Sequence, residues 1–129
     1  TLYGPLGTAR LGSAVLAGRV LPGVGAGRLL DICRSNEVPT QVVDRVRDSG
    51  AIGLVRSLQP DVLLSLAASQ RISPELLALP RFGAFNIHCG RLPDYKGMMP
   101  VFWSRLNGER ELTLTAHRMG AAIDEGHVL

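Results

Sequence analysis

The sequence predicts an α/β fold with an open, largely parallel sheet. Two runs, 61–66 and 82–87, are almost continuously apolar, which is typical of strands buried on both faces of a parallel sheet. A helix start lies between them, and an amphipathic helical pattern precedes the first run. Strands and helices that alternate in this way indicate an α/β architecture.

Length and composition fit one globular domain over 1–129. The hydrophobic content is 46% and the aromatic content only 5%, so aliphatic side chains must form the core. The net charge of +3 arises from scattered arginines, which suits a solvated surface or mild attraction of anionic ligands. Two cysteines give no disulfide framework, and no apolar run is long enough to span a membrane. We therefore expect a cytoplasmic protein.

The elements of the first half follow in order. Within 4–30, apolar spacing favours two helices joined by a glycine-rich connection at 23–27. The helical positions are Leu11, Val15 and Leu16 in the first, and Leu29, Leu30 and Cys33 in the second. A short strand over 37–43 and an amphipathic helix over 48–58 come next, and Pro60 ends that helix.

In the second half, Ser73 and Pro74 predict a helix start, because serine is a good N-cap and proline suits the first helical position. The buried strand over 82–87 follows, and a third strand is predicted over 111–119. Between these strands, Phe102 and Trp103 are expected to pack a helix against the sheet.

Polar residues end the strand over 82–87. Asn86 and His88 are two residues apart, so both side chains lie on one face. The carboxyl ends of parallel strands open onto the ligand crevice. There, an amide could hold a developing oxyanion while an imidazole moves a proton, a pairing that suits acyl transfer.

Asn86-Ile87-His88, followed by Leu-Pro-x-Tyr-Lys-Gly at 92–97, resembles the signature of the folate-dependent formyltransferases. This family includes methionyl-tRNA, glycinamide ribonucleotide and sugar formyltransferases. The likeness continues through Asn-Gly-Glu at 107–109 and a Thr-x-Thr strand to Ile-Asp-Glu-Gly-His-Val-Leu at 123–129. It is good over 36–129 and faint over 1–35.

The resemblance implies a Rossmann-like catalytic domain that takes the formyl group of 10-formyltetrahydrofolate and delivers it to a primary amine. The domain apparently lacks the family's first strand, since none is predicted at 1–10, and its C-terminal elements. The implied partners are the folate and an amine-bearing acceptor. Direct nucleic-acid binding is not indicated by this segment.

The resemblance also assigns roles to individual residues. Asn86 would hydrogen-bond the formyl oxygen, His88 would assist the tetrahedral intermediate, and Asp124 would orient the histidine and relay protons. His117 is an auxiliary candidate. No metal is implied. The folate pocket would lie between two loops, where backbone groups meet the pterin ring. Its residues are Gln70, Arg71, Ile72, Ala121, Ala122 and Ile123.

The motif departs from the family at two positions. Gly90 and Arg91 stand where the family usually has serine and leucine, so a hydroxyl is lost and a charge is added that could touch the acceptor. Non-catalytic interpretations remain open as well. Asn86 could cap a turn, His88 and His117 could be buried core histidines, and Asp124 could be a simple loop acid.

Other functions also fit parts of the pattern. A hydrolase that delivers the formyl group to water would share the three residues. An inactive folate-binding domain would keep the fold without turnover. A dinucleotide-binding oxidoreductase is disfavoured, because the third glycine of the Gly-x-Gly-x-x-Gly pattern at 23–28 falls on Arg28.

Overall fold

The computed structural model describes residues 15–17, 26–66 and 68–129. Its chain divides into two compact units, 1–44 and 45–129. The prediction of one domain over the whole chain stays a prediction. In the described residues, no helix is both long and apolar enough to cross a bilayer.

The first unit contains a strand–helix–strand segment. Strand β1 (Val15–Ala17) pairs in parallel with β2 (Thr40–Val42), and α1 (Ala26–Ser35) connects them. The second predicted helix is thus confirmed. The first predicted helix is wrong at Val15 and Leu16, which lie in β1. A short apolar run fits the period of a helix or of a strand, and pairing with β2 selects the strand here.

Some predictions for the first unit concern residues outside the described ranges. They are Leu11, the part of the predicted 23–27 connection that covers 23–25, and the absence of a strand at 1–10. The last two residues of that connection are predicted wrongly, because α1 already begins at Ala26. The predicted strand over 37–43 is shorter in the structure and spans Thr40–Val42. The residues just before Thr40 cap the C-terminal end of α1 instead. Glu37 adopts a left-handed φ of 54°, and Val38 N–H donates to the Cys33 carbonyl over 2.8 Å.

The second unit begins with a helix, a strand and a short helix. Helix α2 (Ser49–Leu58) follows Asp48 and ends at Gln59, which is left-handed with a φ of 45°. Strand β3 (Leu63–Leu66) and helix α3 (Pro74–Leu77) come next. Ser73 caps α3 as predicted, since its hydroxyl accepts the Leu76 N–H over 3.3 Å.

Strand β4 (Ala84–His88), helix α4 (Pro100–Leu106) and strand β5 (Thr115–Arg118) complete the unit. The sheet order is β3-β4-β5, with β3 and β4 parallel and β5 antiparallel to β4. The α/β class and the largely parallel sheet are confirmed. Strand β5 begins four residues later than predicted.

The register places polar side chains in a row across one face of this sheet. Ser65 pairs with Asn86, and Asn86 pairs with His117, so all three lie on the same face. Leu64 and Leu66 alternate to the opposite face and are 64% and 67% exposed. The prediction that β3 is buried on both faces is therefore wrong, because its buried face carries Ser65 and its leucines meet solvent.

The core of the second unit lies around α2 and α3. Ile52, Val55 and Leu76 are buried there, together with Ala84 of β4. The aromatic pair of α4 does not join them. Phe102 and Trp103 stack edge to face with centroids 5.2 Å apart, and each is 50% exposed. The expected packing of α4 against the sheet through these rings stays a prediction, since half of each side chain meets solvent.

Candidate active site

Four polar side chains meet at the carboxyl end of β4. Asn86 and His88 come from β4, His117 from β5, and Asp124 from the loop after β5. Because β5 is antiparallel to β4, His117 lies directly beside Asn86. The structure thus brings together the three predicted catalytic residues and the predicted auxiliary histidine.

The chain after β5 folds back onto that strand and thereby positions Asp124. Arg118 N–H donates to the His127 carbonyl over 2.8 Å, and Val128 bridges to His117. A Cβ on Gly126 would lie 1.5 Å from the Arg118 carbonyl oxygen, so only glycine permits this approach. Asp124 itself has a φ of 53°, the left-handed conformation.

Asp124 is the shared partner of the two histidines. Its Oδ2 lies 3.5 Å from His88 Nδ1, and its Oδ1 lies 3.4 Å from His117 Nε2. Gly97 N–H donates to Oδ2 over 2.8 Å. The carboxylate is only 10% exposed, so these contacts replace most of its hydration.

The hydrogen bonds of His88 identify its neutral tautomer. Nε2 lies 2.6 Å from the Tyr95 carbonyl oxygen, which can only accept, so Nε2 carries a hydrogen. In the neutral ring, Nδ1 then presents a lone pair to the Asp124 carboxylate. A proton placed between these two acceptors satisfies both of them, which makes this contact suited to holding a proton in transit.

His117 follows the same logic. Nδ1 lies 3.1 Å from the Arg118 carbonyl oxygen and must donate to it. Nε2 is then free to accept a hydrogen bond from Asn86 Nδ2 over 3.2 Å. One hydrogen of that amide is used in this way, and the second remains to donate to a reactant. His117 therefore orients Asn86 as well as facing Asp124.

The loop after β4 holds this cluster through three consecutive residues. The Tyr95 carbonyl accepts from His88, Lys96 Nζ donates to Glu125 Oε1 over 3.1 Å, and Gly97 N–H donates to Asp124. In the sequence, these positions stand out only as part of the family signature over 92–97. This supporting role was missed because backbone groups make two of the three contacts, and every residue type carries those groups.

Packing explains Gly90, the first of the two positions that depart from the family motif. A Cβ on Gly90 would lie 2.6 Å from Pro100 Cβ and 3.3 Å from His88 Nε2, so a serine would crowd the histidine. The Gly90 carbonyl accepts from Thr115 Oγ1 over 2.7 Å. The loop after β4 thus packs tightly at Gly90, against Pro100 and His88.

Arg91 binds carboxylates of its own chain. Its guanidinium lies 2.7 Å from Asp94 Oδ2 and 2.7 Å from Glu109 Oε1. The hydrogen bond that Arg91 donates to Asp94, followed by the charge of Glu109, raises the pKa of Arg91 above its usual value. The added charge is offset within the loop, so the expectation of an Arg91 aimed at an acceptor has no support in these contacts.

The two predicted folate loops contact each other. Arg71 Nη2 donates to the Ala121 carbonyl over 2.9 Å, and Gln70 Oε1 accepts the Val46 N–H over 3.2 Å. Ile72 is half-buried, whereas Ala121, Ala122 and Ile123 are exposed. Ile123, next to Asp124, has 57% of its surface exposed. Among the described residues, no cluster of histidine, cysteine and acidic side chains is arranged to hold a metal ion.

This fold and cluster define the class of protein. The profile of the formyl transferase family matches residues 31–129, and the chain belongs to that family. Among characterised relatives, a methionyl-tRNA formyltransferase from Geobacter metallireducens is 35% identical over 98 residues, which are 76% of this chain and 32% of that protein.

Solved structures show the same fold. A phosphoribosylglycinamide formyltransferase from Bacillus halodurans has a TM-score of 0.72 at 18% identity, over 90% of this chain and 61% of that one. The formyltransferase PseJ from Anoxybacillus kamchatkensis, solved with a formamido UDP-sugar and tetrahydrofolate, has a TM-score of 0.59 at 25% identity. That match covers 89% of this chain and 56% of PseJ. The chain spans about a third of the length of the curated relatives it matches.

Proposed function

We propose that the protein containing this chain transfers a formyl group from 10-formyltetrahydrofolate to a primary amine. The observation that carries the proposal is the buried Asp124 carboxylate, which lies within 3.5 Å of both His88 and His117. Asn86 is tied to the same cluster and keeps one N–H for a reactant. Acyl transfer needs a hydrogen-bond donor for the developing oxyanion and a neighbouring group that holds a proton.

The first step in this proposal is addition of the amine to the formyl carbon. The amine lone pair forms a new carbon–nitrogen bond while the carbonyl π electrons move to oxygen. Asn86 Nδ2–H donates to that oxygen, where negative charge develops. His117 fixes the direction of the amide, since its Nε2 accepts the other hydrogen. A donor oriented before the reaction needs no rearrangement in the transition state.

The second step is collapse of the intermediate. The carbonyl re-forms and the bond from carbon to N10 of the folate breaks. The attacking nitrogen loses one proton, and N10 gains one, so protons balance within the site. While this proton passes from the attacking nitrogen to N10, His88 Nδ1 and Asp124 Oδ2 hold it. These two acceptor atoms face each other and are satisfied by a single hydrogen. No covalent bond to the enzyme is required.

The folate would bind between the loops at 70–72 and 121–124. The bond from Arg71 to the Ala121 carbonyl supports this location, because it fixes the spacing of the two loops. Ala122 and Ile123 are exposed, and in this proposal their backbone groups hydrogen-bond the pterin ring. The loop at 121–124 ends at Asp124, which brings the pterin close to the proton-holding group.

The acceptor in this proposal is methionyl-tRNA. The methionyl-tRNA formyltransferase from Geobacter metallireducens and that from Clostridioides difficile are 35% and 30% identical to this chain. Translation takes place in the cytoplasm, and the two free cysteines of the described chain, Cys33 and Cys89, suit that reducing compartment. The same active-site residues could deliver the formyl group to water, so a hydrolase is the alternative outcome.

An assay with and without acceptor tests the proposal. The full-length protein is mixed with 10-formyltetrahydrofolate, and the release of tetrahydrofolate is followed by absorbance. We expect release that depends on methionyl-tRNA. Release at the same rate without any amine would favour the hydrolase. Folate binding without release under either condition would favour an inactive binding domain.

A further inference from the structure

A buried hydroxyl lies beside Asn86 on the side away from His117. Ser65 pairs with Asn86 across β3 and β4 in parallel register, so its side chain lies on the same sheet face as the site. Ser65 is only 6% exposed. Within the described part of the chain, its Oγ has no hydrogen-bond partner.

This unpaired hydroxyl is unusual for a buried group. Buried polar atoms are almost always hydrogen-bonded, and one without a partner lowers the stability of the fold. Alanine at this position would fill nearly the same space without that cost. Folding alone therefore does not explain a serine in the middle of the otherwise apolar run at 61–66.

The neighbour of Ser65 is the residue that needs orienting. In the described contacts, the Asn86 amide has its partner on β5, where His117 Nε2 accepts one of its hydrogens. Parallel strands lie about 4.8 Å apart, so a small rotation of either side chain brings the Ser65 hydroxyl within hydrogen-bond reach of the amide. A hydroxyl both donates and accepts, so it can pair with either end of that amide.

We propose that Ser65 is a positioning residue that acts through Asn86, and this role rests on the proposed formyl transfer. When the reactants bind, the second N–H of the Asn86 amide donates to the formyl oxygen. Ser65 then hydrogen-bonds the amide from the β3 side while His117 holds it from the β5 side. The hydroxyl without a partner in the free protein gains one in the complex.

A set of variants in the full-length protein separates this role from a structural one. For Ser65→Ala we expect kcat to fall about tenfold, with KM for the folate within about twofold of the unmodified protein. The melting temperature should stay level or rise, because an unpaired buried hydroxyl is removed. A structural role would lower the melting temperature instead, and that result would overturn the proposal.

Two isosteric variants control for volume. Ser65→Thr and Ser65→Val add the same bulk to the buried position, but only threonine keeps a hydroxyl. We expect Ser65→Thr to retain several-fold more turnover than Ser65→Val. Equal turnover in the two would contradict the proposal. Ser104→Ala removes another buried hydroxyl, whose Oγ is bonded to the Val101 carbonyl, and should leave kcat unchanged.

A double-mutant cycle tests whether Ser65 acts through Asn86. In the Asn86→Ala background, Ser65→Ala should have no further effect on turnover, because the group it positions is gone. An unchanged tenfold loss in that background would overturn the proposed route. An unmodified protein that neither binds tetrahydrofolate nor releases formyl would overturn both the function and this role. Full turnover of Ser65→Ala in an active enzyme would overturn the role alone.

Discussion

At the scale of single residues, the site is organised around one carboxylate. Asp124 lies between His88 and His117, and each imidazole donates its own N–H to a backbone carbonyl. His88 therefore turns the lone pair of Nδ1 toward the carboxylate, whereas the lone pair of His117 Nε2 accepts the Asn86 N–H. His88 Nδ1 and the carboxylate thus face each other across 3.5 Å, where a single proton satisfies both acceptor atoms.

Replacing the two β4 residues should abolish transfer without unfolding the protein. Asn86→Ala removes the hydrogen bond to the developing oxyanion, and loss of such a donor costs about 10²–10³-fold in kcat. We expect a comparable loss for His88→Ala, because the proton then has no imidazole to occupy. Turnover and circular dichroism measured together check this. His127→Ala removes an exposed histidine nearby and should behave like the unmodified protein. Near-normal turnover in either β4 variant would mean that the site is wrongly located.

Removing the charge of Asp124 should affect chemistry more than binding. Asp124→Asn keeps the size of the side chain and can still accept from Gly97 N–H, but it removes the negative charge beside the two histidines. We expect kcat to fall about 10²-fold, in the range of general acid–base contributions. Folate affinity, measured by titration of intrinsic fluorescence, should change less than about threefold. A normal kcat would reduce Asp124 to a loop residue.

The motif residues were the part of the site that sequence could predict. Asn86, His88, Asp124 and His117 are the side chains that meet in the structure. The contacts that Tyr95 and Gly97 make through their backbone could not be predicted. A carbonyl or N–H at a given position becomes visible only when the fold brings it within hydrogen-bond distance.

At the scale of elements, the segment after β5 decides whether the site forms. It returns along β5 through the bonds at His127 and Val128, and this return carries Asp124 back to the histidines. The loop at 95–97 fixes the same carboxylate from the other side. The two segments have no regular secondary structure, so their positions depend on Gly126 and on a few specific contacts.

A methyl group at Gly126 should break this arrangement. In Gly126→Ala the Cβ would meet the Arg118 carbonyl oxygen, so the segment must leave β5. We expect a lower melting temperature and at least a 10²-fold loss of turnover, since Asp124 leaves with the segment. Gly53→Ala is the matched control. Its Cβ meets nothing within 4 Å on α2, and it should raise stability by about 0.5–1 kcal/mol. Normal activity in Gly126→Ala would contradict the account of the loop.

The contact between the two folate loops can be tested separately. Arg71→Ala removes the bond to the Ala121 carbonyl and leaves the loops free to separate. We expect KM for 10-formyltetrahydrofolate to rise by several fold while kcat stays within about twofold, because the catalytic cluster is untouched. Arg34→Ala, which breaks an exposed ion pair with Asp31 on α1, serves as the control. A lower kcat with unchanged KM would contradict the assigned role.

The ends of helices were predicted better than the burial and the direction of strands. Pro60 and Ser73 act locally, so the end of α2 and the start of α3 follow from neighbouring residues. The exposure of Leu64 depends on what lies over the sheet, and the antiparallel direction of β5 depends on a distant connection. Neither property is encoded in a local pattern.

At the scale of the whole molecule, an apolar surface on the second unit predicts association. Leu64 and Leu66 are exposed on β3, on the sheet face opposite the site. Exposed apolar strands tend to associate. We expect the 129-residue chain alone to form oligomers at micromolar concentration in sedimentation velocity. Leu64→Lys with Leu66→Lys should shift it toward monomer. A monomeric unmodified chain at all concentrations would contradict this expectation.

The central claim is that this cluster moves a formyl group onto an amine, and label transfer tests it most directly. The full-length protein is incubated with 10-formyltetrahydrofolate labelled with ¹³C at the formyl carbon and with methionyl-tRNA, and the aminoacyl product is analysed by mass spectrometry. The account predicts labelled formyl-methionine with the unmodified protein and a loss of about 10²-fold or more in its rate of formation with Asn86→Ala or His88→Ala. Label found only as formate, or transfer that persists undiminished in both variants, would contradict it.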